Sequence, residues 1–354
     1  MSEKLKIERV ELVRILNAVK PGLASKEVFD QATHFIFSGT AVMTYNEKIC
    51  VQVPLTTPFS CSVMAEKLLK VINNAKKDKE LELWMHDGHL CIKGKHTNLK
   101  LNTETQSKGA LEMIEALGQQ RLVEAMIEIP KDFLQGIDLA RFSCAKDDTS
   151  DNFHCVCITE SKLQACDEWR LSRYIMVAPM TEPGEQVLLP ASTIRDLLDY
   201  TIHEFIVQEG WIHFLCDDGA VFSAVTSSGE FQSVDDAISG QEEGNVLPLP
   251  KELSEILDDA ALIAEGSKST EKEVRITIKE GKLECFSQNK DFGELTKTIE
   301  MDTTEEAEFT INPYFLKEVL KHIRTIELNS SVAMFKTENF IHIISTSAME
   351  EGEE

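Results

Sequence analysis

Residues 191–198 read ASTIRDLL and lead into EFIVQEGWIHFLCDDGAVFSAVT at 204–226. The first stretch is a short amphipathic helix, with Ile194 and Leu198 four apart on one face. The second alternates apolar and polar residues around Glu209-Gly210 and Asp218-Gly219, dipeptides suited to tight hairpin turns. The same text occurs twice more. AEKLLKVI at 65–72 precedes ELELWMHDGHLCIKG at 80–94, with Asp87-Gly88 at its turn. PYFLKEVL at 313–320 precedes IELNSSVAMFKTENFIHIIST at 326–346. The three helices start at 65, 191 and 313, so the spacings are 126 and 122 residues.

A second series interleaves with the first. RVELVRILNAV at 9–19, PKDFLQGIDLA at 130–140 and PKELSEILDDA at 250–260 start 121 and 120 residues apart. Each is followed by strand-like text: 34–53, 153–176 and 274–287. Proline at the first helical position has no N–H to lose, so Pro130 and Pro250 are predicted to open their helices. Two series in step predict six helix-plus-strand units, paired into three tandem domains of the α+β class. Boundaries fall near Met126 and Leu247, giving 1–126, 127–247 and 248–349, with the stretch 239–245 as the second linker and 350–354 as an acidic tail.

Composition limits the chemistry. The 354 residues are 42% hydrophobic and 27% charged, which excludes global disorder. Net charge is 36 − 60 = −24, which at first sight opposes a nucleic-acid partner, since phosphate neutralisation dominates such binding. Counted by domain, however, it divides into +2 for 1–126, −15 for 127–248 and −11 for 249–354. Basic residues gather on helix regions of the first and third domains: Lys67, Lys70, Lys76, Lys77 and Lys79, then Lys317, Lys321 and Arg324. Such a face is ordinarily a solvated one, and its recurrence on equivalent helices is what singles it out. The N-terminus MSEKLKIERVELV has no apolar signal core, no apolar run approaches a membrane span, and nine cysteines fit a reducing compartment. A cytoplasmic protein is expected.

Catalytic and metal readings are weak. Cys155, Cys157, Cys166 and His154 lack paired zinc-site spacing and read as small buried hydrophobes. His154 and Cys155, adjacent on a strand, point to opposite faces and make no dyad. Neither GxGxxG nor GxxxxGK[ST] occurs. No enzyme activity, metal or cofactor is expected.

Several segments resemble the sliding clamp family, the beta subunit of bacterial DNA polymerase III, in order and at the family's spacing. ACDEWRL at 165–171 is similar to the family's ATDGHRL; LPASTIRDLL at 189–198, with Gly229-Glu230-Phe231, resembles its second-domain helix and GxFPDY loop; FTINPYFLKEVL at 309–320 resembles FNxxYLLDVL. The resemblance implies a head-to-tail homodimer whose six domains ring duplex DNA, helices lining the hole and sheets outside. Three repeats per chain select this dimer over the trimeric two-domain clamps.

The resemblance also implies sites. DNA-facing residues would be Lys26, Lys146 and Phe153 in loops, with Arg14, Lys20, Lys70, Arg141, Arg195, Lys317, Lys321 and Arg324 around the lining helices. A pocket for linear motifs of a replicative polymerase and clamp loader would take His154, Cys166, Trp169, Arg170, Leu171, Leu247, Ser345 and Met349. Glu168, Trp169 and Ser239 replace the family's glycine, histidine and proline, and 345–349 replaces a more apolar tail. These departures imply a phage or mobile-element clamp with its own polymerase. The alternative is a clamp-fold scaffold that binds such motifs without encircling DNA; the partner-contact edge, Ile263-Ala264-Glu265-Gly266-Ser267, is less apolar than the family's.

Overall fold

Helix α1 (Arg9–Ala18) buries Leu12, Ile15 and Leu16, and α2 (Ala65–Asn74) buries Leu68 and Ile72 while its lysines face outward. These are the stripes expected of helices laid on one side of a sheet. The computed structural model describes residues 3–104, 112, 114, 117, 126–146, 152–208, 210–266 and 268–346. The chain divides into two compact units, residues 1–129 with 192–228, and residues 130–191 with 229–354.

The first unit holds two antiparallel sheets. One has four strands in the order β1 (Leu5–Glu8), β6 (Glu80–His86), β7 (His89–Lys93), β8 (Asn98–Asn102). The other has eight, ordered β5-β2-β3-β4-β16-β15-β14-β9. Its members are β2 (His34–Phe37), β3 (Ala41–Tyr45), β4 (Ile49–Pro54), β5 (Cys61–Met64), β9 (Ile127–Glu128), β14 (Ile202–Gln208), β15 (Trp211–Cys216) and β16 (Val221–Val225). Its seam joins β4 to β16, with Val51 opposite Phe222. The Asp87 and Gly88 turn joins β6 to β7 with φ of 47° and 72°, positive values that suit a tight hairpin.

The second unit repeats this plan. Its eight-stranded sheet runs β13-β10-β11-β12-β24-β23-β22-β17. The strands are β10 (Cys155–Thr159), β11 (Lys162–Cys166), β12 (Arg170–Ile175), β13 (Val187–Pro190), β17 (Asn245–Pro248), β22 (Thr325–Leu328), β23 (Val332–Lys336) and β24 (Phe340–Ser345). The seam pairs β12 with β24, Leu171 opposite Ile343. The four-stranded sheet runs β20-β19-β18-β21, from β18 (Val274–Lys279), β19 (Lys282–Asn289), β20 (Gly293–Glu300) and β21 (Ala307–Ile311). The remaining α-helices among the described residues are α3 (Phe133–Ala140), α5 (Asp235–Ser239), α6 (Leu253–Ile263) and α7 (Pro313–Val319) in the second unit and α4 (Ala191–Leu197), almost wholly in the first. No helix among the described residues is long and apolar enough to cross a membrane.

Helix starts depart from expectation at two places. Pro130 and Pro250 do not open their helices; each ends a strand-side segment, and a turn intervenes, with Phe133 N donating to Pro130 O and Leu253 N to Pro250 O. Asp132, at the start of α3, uses its carboxylate on Val177 N and Tyr174 Oη rather than on the helix. Pro313 does occupy the first turn of α7, where Asn312 Oδ1 accepts from Tyr314 N and Phe315 N at 3.0 and 3.2 Å. Gly136 lies within α3 because a Cβ there would come within 2.5 Å of the Tyr174 ring.

Beneath the second seam lies a polar cluster: Ser172 Oγ is 2.8 Å from Ser143 Oγ and 2.7 Å from His342 Nδ1. All three residues are buried. Desolvation, with Arg170 nearby, pushes the imidazole down to about 3 from 6.5. The unfolded chain therefore takes a proton below pH 6.5 that the folded chain refuses. The stability tied to neutral His342 is complete above pH 6.5 and drains as pH falls toward 3, by roughly 1.4 kcal/mol per pH unit. In urea titrations the margin of wild type over His342→Gln should narrow at that rate between pH 6 and 4; a pH-independent margin would rule this account out.

Candidate partner groove and basic helix faces

The ACDEWRL segment makes the turn between β11 and β12. Asp167 Oδ1 accepts from Trp169 N and Arg170 N, both at 2.9 Å, which lifts the intervening indole to the surface, 46% exposed. Successive strand residues then face opposite ways. Leu171 lies on the outer face of the sheet. Arg170 turns to the opposite face, where it pairs with Asp167 at 3.0 Å and Glu318 of α7 at 3.2 Å. Its guanidinium sits 4.0 Å from the centroid of Phe315.

On the outer face, half-buried Leu171 and Ile238 connect two apolar clusters. One comprises Cys155, Cys157, Leu188, Phe231 and Val234, with Cys166 packed against it; the other comprises Val332, Met334 and Ile343, flanked by Ile341. The short helix α5 carries Ile238 and is tied to the sheet through Asp235. Its carboxylate accepts from Lys162 Nζ at 2.6 Å, Arg173 Nη1 at 2.8 Å and Gln164 Nε2 at 3.1 Å. Burial pushes this carboxyl up, but the bonds from Lys162 and Arg173 outweigh it and leave the group below the usual range. The half-buried Cys166, Leu171, Ile238 and Ile341 thus make an apolar strip, the candidate groove, near the exposed Trp169.

Of the residues assigned to this pocket from sequence, Cys166, Trp169 and Leu171 come together, and Ser345 N donates to Trp169 O at 2.8 Å. His154 is half-buried just before β10, its carbonyl accepting from Ala191 N. Leu247 is fully buried on β17, four strands from β12, and takes no part in the groove. Arg170 takes none either, for the reason of alternation. Met349 lies outside the described residues. Sequence reading missed Ile238 and Ile341. Ile341 was recoverable from the alternation of 340–345; Ile238 sits in a five-residue helix, too short to show a period.

Nucleophilic chemistry has little to work with here. Burial, reinforced by Asp167, pushes the Cys166 thiol up to about 11, and burial pushes Cys157 up to about 12. Such thiols stay protonated at neutral pH.

The basic residues divide by unit. In the first, Arg14 of α1 donates to Glu11 at 2.9 Å and to Asp218 at 2.7 Å. The hydrogen bond from Arg14 holds Glu11 below the usual carboxylate range. Lys20 and Lys70 line one cleft of about 1060 Å³ with Leu23, Leu69 and His34. Lys26 lies exposed in the loop before β2, and Arg195 is exposed on α4. In the second unit, Arg141 pairs with Asp138 at 2.6 Å and Lys317 pairs with Asp258. Lys146 Nζ donates to Ser269 Oγ at 3.0 Å, Arg324 Nη1 to Pro250 O at 3.3 Å, Lys321 is exposed and Phe153 half-buried.

Compared by sequence, the chain matches no family model and no curated protein. Compared by fold, it is similar to solved bacterial clamps. The DNA polymerase III beta subunit of Thermotoga maritima shares 19% identity at a TM-score of 0.76, covering 98% of this chain and 99% of that one. The beta subunit from DNA polymerase of Streptococcus pyogenes gives 15% and 0.78, covering 98% and 100%. The sliding clamp of Pseudomonas aeruginosa bound to griselimycin gives 15% and 0.77, covering 99% and 100%. The chain thus has the DNA sliding clamp fold, that of the DNA polymerase III beta subunits, over nearly its whole length.

Proposed function

We propose that this protein is a DNA sliding clamp: a head-to-tail homodimer of three-domain chains that encircles duplex DNA and tethers a DNA polymerase. The observation that carries the reading is a strand count within the clamp fold. Two sheets are complete at eight strands, each fusing two half-repeats, while two stop at four. Among the described residues, β8 and β20 each end a four-stranded sheet with an unpaired edge, a liability that proteins cover or pair. Pairing β8 of one copy with β20 of another makes every sheet eight-stranded and closes a ring.

The two edges are complementary. Strand β8 alternates half-buried Leu99 and Leu101 with exposed residues, and Lys93, Lys95 and Lys100 lie on or beside it. Strand β20 alternates half-buried Leu295, Lys297 and Ile299 with exposed residues and carries Glu294 and Glu300, while Lys297 is occupied by Asp259 of its own chain. Leu262, 73% exposed at the end of α6, adds an apolar contact. Within the ring, the basic helix faces would meet phosphates without reading bases. The outer groove would receive a linear motif of the polymerase or its loader, and its departures from the family pattern support a dedicated polymerase of phage or mobile-element origin.

Topology supplies the test. Protein loaded on nicked circular DNA should survive a high-salt wash and be lost when the circle is cut. Equal retention on circular and linear DNA would instead support the non-encircling scaffold.

A further inference from the structure

The basic residues of the helix faces fall into two classes that sequence could not separate. Lys20, Lys26, Lys70, Arg195 and Lys321 form no ion pair among the described residues. Arg14, Arg141 and Lys317 do: with Glu11 and Asp218, with Asp138, and with Asp258. Two of these contacts, Glu11–Arg14 and Asp138–Arg141, are built at i,i+3 spacing on one helical stretch. The other two are long-range, from the β15–β16 turn to α1 and from α6 to α7. Each carboxylate takes hydrogen-bonding directions that a phosphate would otherwise use.

From these pairings we infer that Glu11, Asp138, Asp218 and Asp258 are restraining residues, which hold three cations away from DNA and so weaken the grip on the duplex. The inference rests on the sliding-clamp reading. A ring retained by topology gains nothing from tight phosphate contacts, since each released contact lowers the friction of sliding. Affinity for DNA rises with every phosphate neutralised and falls with salt in proportion to that number. Occupying three cations internally removes up to three such contacts while leaving the positive potential of the unpaired lysines.

The test is the salt dependence of binding to a short linear duplex, read by fluorescence anisotropy between about 50 and 200 mM salt. The variant Glu11→Gln, Asp138→Asn, Asp218→Asn, Asp258→Asn should bind about tenfold or more tighter at low salt. Its slope of log affinity against log salt should steepen by about 2 to 3, at roughly 0.9 per freed cation. A control with the same charge change uses four exposed hairpin residues at positive φ: Glu47→Gln, Asp87→Asn, Glu160→Gln and Glu280→Gln. It should leave the slope unchanged; an equal steepening would reduce the effect to net charge and overturn the inference. Arg14→Gln offers a milder check, leaving the slope unchanged in wild type and lowering it by about one in the four-site variant. Wild-type protein that is lost from cut circles, with no slope change in the variant, would leave the clamp standing and remove the restraining role. Wild-type protein retained on linear DNA would remove both.

Discussion

A chain with Lys93, Lys95 and Lys100 all changed to Glu is expected to run in light scattering at 39.8 kDa, the mass of one chain, where wild type runs at about twice that value. In a head-to-tail pair the lysines at the β8 edge would face Glu294 and Glu300 on β20, where Glu300 also pairs with Lys282 of its own chain at 3.6 Å. Reversing three lysines would place like charges opposite one another along both interfaces of the proposed ring, a juxtaposition that costs several kcal/mol at each. Adding Glu294→Lys and Glu300→Lys to the same chain should restore the larger mass, because both interfaces are then reversed together. Wild type that stays at one chain mass at micromolar concentration would sink the dimer outright. Failure of the second set to rescue would instead show that the lysines act elsewhere.

The second large effect separates two neighbours on β12. Arg170→Ala should cost about 3 kcal/mol of folding stability, since it leaves Asp167 buried without its cation and strips the stack on Phe315. Leu171→Ala should cost only about 1 kcal/mol, because Leu171 is half-buried and the substitution adds no charge to the apolar clusters it touches, yet weaken capture of the proposed partner polymerase on DNA-loaded protein. Urea unfolding measures the first and a primer-extension processivity assay the second. If both substitutions behaved alike in unfolding, the assignment of these residues to opposite faces would be wrong.

This strand also marks how far sequence carries. The repeated helices were legible because each pairs an apolar stripe with a following hairpin. Ala65–Asn74, Ala191–Leu197 and Pro313–Val319 stand where the repeat places them. The groove was half legible. Asp167-Glu168-Trp169 announces a turn, so Trp169 at a rim and Leu171 on a face follow from local chemistry. Family spacing brought Arg170 and Leu247 along with them, but alternation on β12 and the burial of β17 send both elsewhere. Long-range ion pairs were not legible at all. Arg14 with Asp218 spans 204 residues, and nothing in either neighbourhood advertises the other.

The seams have a consequence for how the molecule is made. Strand β12 ends at Ile175, and its seam partner β24 begins only at Phe340. At ~5–20 residues per second, β12 waits roughly ten to thirty seconds on the ribosome for that neighbour. Strand β4 likewise ends at Pro54 and waits for β16, which begins only at Val221. During synthesis each half-sheet therefore presents a hydrogen-bonding edge that only a later part of the same nascent chain is meant to fill. Ribosomes spaced closely on one message would offer that edge the wrong copy's strand, so yield during expression should depend on translation density as well as on final stability.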